Sequence, residues 1–160
     1  MTESLQQNSQ NSLNSQVRII TFAGVLPFVF FTFCVWFPQL NPFKIDALVI
    51  FRFYSIVILS FMAGALWPLG FIADLSTDKR HVVRSGLLWG SIMIALAGWG
   101  TLFLLPKVAI FVSALLFLVI WQIENKTQLV KSYPQWYASL RAGVTMVVAI
   151  THMSVWMTIA

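Results

Sequence analysis

Residues 86–123 read GLLWGSIMIALAGWGTLFLLPKVAIFVSALLFLVIWQI, an apolar stretch whose only charge is Lys107. As one straight helix it would be about 57 Å long at 1.5 Å per residue. A bilayer's hydrocarbon core is only about 30 Å thick. The stretch therefore predicts a helical hairpin of two membrane spans, 86–105 and 108–123, turned at Pro106 and Lys107, where proline removes a helical donor.

Three more spans flank this hairpin. Residues 17–37 are apolar, and the first span is placed at about 18–37, with Pro27 tolerated because neighbouring helices can satisfy the freed carbonyl. Residues 38–42, with a proline at each end, make the first turn. The stretch 45–73 is interrupted by Asp46 and Arg52 and is too long to cross once. Placing Arg52 at the interface leaves 53–72 as the span, with 44–51 near the surface and Pro68 kinking or ending the helix near its exit. Residues 74–84 form the most polar connection, and His81 within it is read as solvated. Residues 124–139 are a polar-aromatic connection before a last span at about 140–159. The fold class is all-α, a polytopic transmembrane bundle of about five spans, forming one domain over residues 17–160.

Composition agrees. The chain has 160 residues, 59% hydrophobic and 9% charged, against about 25% charged in soluble domains. Residues 1–16 are instead rich in Gln, Asn and Ser and are expected to be a disordered polar tail, too poor in apolar surface to offset its conformational entropy. The single cysteine, Cys34, excludes an internal disulfide and a cysteine-based metal site. A net charge of +5 in a soluble protein would raise nucleic acid as a partner. Here the basic residues flank apolar runs, so the lipid bilayer is the expected partner and nucleic acid is not. Arg18, Lys79, Arg80, Arg84, Lys126, Lys131 and Arg141 fall on the side of the N-terminus, with Lys44, Arg52 and Lys107 opposite. That bias puts the N-terminus in the cytoplasm.

Three groups of residues invite chemistry. In the second span, Ser60 and Gly64 share a helix face, and Gly86 and Gly90 form a G-x-x-x-G in the third. All four are read as helix-packing positions. Trp67 is either an interfacial anchor or part of the floor of an apolar pocket. Around the last connection, Glu124 closes one span and Arg141 opens the next, so the two can form a bidentate clamp between helix ends. Tyr133, Trp136 and Tyr137 place rings at headgroup depth. The alternative is a headgroup or anion site with Arg141 as the cation and the rings as walls. Finally, His152 lies about 16 Å deeper than Arg141, on a ridge with Thr145 and Trp156. A polar group at that depth either bonds to a neighbouring helix or serves function. No nucleophile elbow, phosphate loop or paired acids occur. No catalytic residue, cofactor or metal is expected.

Two of these segments resemble a known family. Tyr54-Ser55-Ile56-Val57-Ile58-Leu59-Ser60-Phe61, running on to Gly64 and Trp67, resembles the second-helix signature of domain of unknown function 3429, which includes the transmembrane protein 69-like proteins. Tyr133-Pro134-x-Trp136-Tyr137-x-x-Leu140-Arg141-x-x-x-Thr145 resembles the signature before the family's last helix. The resemblance runs from about residue 18 to 158. It implies a small multi-helix membrane protein of bacteria or mitochondria, with no activity attached. The family's basic residue before the tryptophan and glycine after it are replaced here by Leu66 and Pro68.

The expected role is a non-catalytic accessory or assembly partner of a larger complex in the bacterial inner membrane, with other membrane proteins as partners. The alternative is a binder or carrier of a small apolar or amphipathic molecule, lipid or quinone-like, at Trp67, Trp136, Arg141 and His152.

Overall fold

The computed structural model describes residues 2–42, 44–72, 80–126 and 134–159, with side chains described at 12–42, 44–68, 85–126 and 134–159. Five helices follow one another: α1 (Thr2–Trp36), α2 (Ala47–Ile72), α3 (Arg80–Gly100), α4 (Pro106–Lys126) and α5 (Gln135–Thr158). Each contains a stretch long and apolar enough to cross a membrane. The protein is thus a multi-pass membrane helix bundle. Polar residues at 74–79 and Tyr133 lie outside the described residues, as does the side chain of His81.

The hairpin forms where the sequence demanded it. α3 tightens into a 3-10 turn at Thr101–Phe103, Leu104 is extended, and Pro106 is the first residue of α4. Proline suits that position because the first helical N–H has no partner to lose.

Two boundaries differ from the sequence reading. The polar tail expected to be disordered is instead continuous with α1, which starts at Thr2. Its Ser, Gln and Asn residues are no barrier to a helix already nucleated, since propagation adds one bond per residue fixed. Secondly, α2 starts at Ala47 rather than near residue 53, and Ala47 and Phe51 are buried against the other helices. The Asp46 carboxylate accepts from the Val49 amide at 3.1 Å, an N-terminal cap that satisfies one orphan donor. The Arg52 guanidinium donates to the carbonyls of Thr101 at 3.0 Å and Leu104 at 3.2 Å. A cation there closes the unsatisfied carbonyl end of α3.

Helix α2 is central, packing against α1, α3 and α4, while α5 packs against α1 and α4. Helix α3 is peripheral and is held mainly by α2. The α2–α3 seam follows helical spacing: Leu59, Ala63 and Leu66 meet Leu87, Ser91, Ile94 and Gly98, all buried. Gly98 is the close-approach residue, since a Cβ there would lie 3.6 Å from Leu59.

Helices α1 and α5 run parallel and are tied near both ends. The Arg18 guanidinium lies 5.1 Å from the centre of the Trp136 ring. Near the opposite ends, the Trp36 indole N–H donates to Ser154 Oγ at 2.9 Å. The Tyr54 hydroxyl also donates to the Gly24 carbonyl at 2.8 Å, next to the carbonyl of Ala23, which Pro27 leaves without its helical donor.

Candidate functional site

Two polar constellations and one groove emerge from the positions singled out in the sequence. The first is an ion pair. Glu124 lies two residues from the end of α4, and Arg141 is two turns into α5, so the short connection brings both to one membrane face. Arg141 Nε donates to Glu124 Oε2 at 3.0 Å and its terminal nitrogen to Oε1 at 2.5 Å. Glu124 is only 2% exposed. This is a bidentate fork between a planar guanidinium and a carboxylate, which fixes geometry as well as charge. Each charge answers the other within the clamp. Arg141 is therefore a poor choice for an anion partner.

The second constellation is built around His152, which is 0% exposed. Its position on α5 is the point where α1, α2, α4 and α5 meet. The rings of Phe28, Phe51 and Phe117 surround it, with centres 5.5, 4.8 and 5.3 Å away. Nδ1 lies 2.8 Å from the Val148 carbonyl one turn earlier. A carbonyl only accepts, so Nδ1 carries the proton and donates. In the neutral ring Nε2 is then an acceptor, and it sits 3.0 Å from Ser55 Oγ on α2. The Ser55 hydroxyl also reaches the Phe51 carbonyl of its own helix at 2.8 Å, so its one proton has two acceptors. Either way the pair stays inside the bundle. Thr145 is buried on the same stripe of α5, while Trp156 is half-buried at its edge, with the Lys107 ammonium 5.2 Å from its ring centre.

The remaining positions lie elsewhere. Trp67 is 45% exposed on the outer side of α2. Trp136 and Tyr137 pack edge to face, ring centres 5.8 Å apart, at the start of α5. The four expected helix-packing positions do not hold this bundle together. Ser60, Gly64 and Gly86 are exposed and Gly90 is half-buried. A Cβ built at any of the three glycines would meet nothing within 4 Å. The reason is rotational: the seams use Ala63 and Gly98, and turn these small residues outward.

The groove lies between α1 and α5, encloses about 510 Å³, and is lined by Arg18, Phe22 and Val25 on one side and Trp136, Ser139, Gly143 and Val147 on the other. Of Trp67, Trp136, Arg141 and His152, only Trp136 lines it. Arg18 escaped the sequence reading as a site residue. Its signal was faint: a lone cation beside an apolar run, otherwise explained by orientation. Among the described residues, no three His, Cys, Asp or Glu side chains gather as metal ligands would.

A family model described as "Protein of unknown function (DUF3429)" matches residues 13–157. The chain belongs to that family. No curated protein and no solved structure matches it. The match in DUF3429 begins within α1 and ends within α5, so it takes in the clamp, the His152 core and the groove together.

Proposed function

We propose that the chain is a non-catalytic accessory or assembly partner of a larger complex in the bacterial inner membrane, acting through helix faces that other membrane helices cover. One observation carries this reading: the small-residue faces of Ser60 with Gly64 and of Gly86 with Gly90 point outward, with open space beside the glycines. In lipid, where hydrophobicity does not drive helices together, such faces allow backbones to approach closely. The ionisable groups argued above, Glu124, Arg141, Arg52 and His152, bond to one another or to the protein's own backbone and hydroxyls. They support the bundle rather than a reaction.

The test is photocrosslinking in native membranes, with a photoreactive amino acid placed at Gly64 or Gly90, where the fold has room for it. Controls sit at Ile150, which is 63% exposed on α5. A discrete protein adduct at the glycine positions and not at the control is expected. Lipid adducts alone at all three positions contradict the reading.

A second reading has its own observation. The α1–α5 groove, apolar along its length with a cation at one end, favours a binder of a small amphipathic molecule.

A further inference from the structure

We infer that the groove between α1 and α5 binds an anionic phospholipid, its phosphate held by Arg18 and an acyl chain lying along Phe22, Val25, Val144 and Val147. This rests on the second reading above and names the ligand's chemistry.

The groove changes character along its length. Arg18, Trp136 and Ser139 stand at the end of the groove nearest the start of α5. Val25 is seven residues further along α1, about 10 Å at the helical rise, and there the lining is Val25, Val144 and Val147. A polar end and an apolar run parallel to the membrane normal match a lipid's own layout. A volume of about 510 Å³ lies in the range that holds small ligands.

Charge selects the headgroup. Among the described residues no carboxylate pairs with Arg18, whereas Arg141, also on this face, is closed by Glu124. The Arg18 guanidinium carbon lies over the Trp136 ring, 5.1 Å from its centre. A guanidinium presents its N–H donors in a planar fork that suits phosphate oxygens. A free phosphate would gain the same donors but nothing from the apolar run. Gly143 keeps the wall low, and a Cβ there meets nothing within 4 Å, so a side chain can start into the groove from this position.

The experiment is native mass spectrometry of the full chain, delipidated in detergent and offered equimolar dioleoyl phosphatidylglycerol and dioleoyl phosphatidylcholine. One exposed basic contact predicts a preference for the anionic lipid of roughly five- to tenfold. R18Q should flatten that preference to near one, R18K should retain part of it, and G143F should lower adducts of both lipids. The melting temperature of R18Q should fall by no more than about 2–4 °C for the lost contact with Trp136, which separates lost binding from lost fold. Equal uptake of both lipids by the parent chain, or a preference that survives R18Q, overturns the inference while leaving an amphiphile binder standing. If neither lipid is retained, the binder reading falls with it.

Discussion

Arg18 and Arg141 lie at the same membrane face, each beside the first turns of α5, yet they hold opposite positions in the molecule. Arg141 is forked onto a carboxylate that is 2% exposed, and the two tie α4 to α5. Arg18 lies over an indole ring at the mouth of a groove, and no described carboxylate answers its charge. The comparison teaches that cation position along the chain does not reveal its employment. What decides is whether an acid is delivered by a neighbouring helix. The opposite end of the bundle adds a third case, Arg52, committed to backbone carbonyls at the end of α3.

Removing one member of the clamp should have the largest effect. Arg141→Ala leaves the Glu124 carboxylate buried without its counter-charge, which in other proteins costs about 3–5 kcal/mol. Unfolding monitored by circular dichroism in detergent should show the largest loss among the variants considered. A melting curve unchanged by the substitution would mean that the fork is idle.

His152 comes next. Truncation by His152→Ala opens a cavity among three phenyl rings, an effect of about 2–5 kcal/mol. His152→Phe keeps the site filled but adds volume to it, so its loss should be the smaller, about 1–3 kcal/mol, with Ser55 retaining the Phe51 carbonyl as a partner. Equal losses for the two variants would show that the hydrogen bonds to Ser55 and Val148 matter more than the volume. A nitrogen-15 spectrum of the parent should show the proton on Nδ1.

Arg52→Gln should cost about 1.5–3 kcal/mol, the range for hydrogen bonds from a charged group, and should loosen the α3–α4 turn first. Amide exchange at Leu104 and Leu105 reads that directly. The smallest effect belongs to Arg18. Replacing its charge should cost at most about 1 kcal/mol, the worth of an exposed cation–π contact, and show mainly in lipid selectivity.

Much of the axial arrangement was legible in the sequence. The impossible length of residues 86–123 forces the hairpin, and it turns beside Pro106 as that length and the proline require. Glu124 and Arg141 were readable as a clamp because both flank one connection, and the depth of His152 followed from counting helical rise. The lateral arrangement was not legible. When a helix is apolar on every side, its sequence does not say which face meets another helix and which meets lipid. That is why Gly86 and Gly90 attracted attention while Gly98 does the packing, and why Ser55, 97 residues away, was not foreseen as the partner of His152. The carbonyl partners of Arg52 were hidden for the same reason, since only the fold shows that α3 ends beside it. The start of α1 is a different case. A polar composition argues against a buried segment, but it does not stop a helix from running on past the membrane.

A double-mutant cycle on Glu124 and Arg141 tests the division of labour between the arginines most directly. If the fork holds α4 to α5, Glu124→Ala combined with Arg141→Ala should lose clearly less stability than the two single changes added together, because the double variant leaves no orphaned charge. Strictly additive losses would show that the two side chains act independently, and Arg141 would then be free to serve a ligand after all.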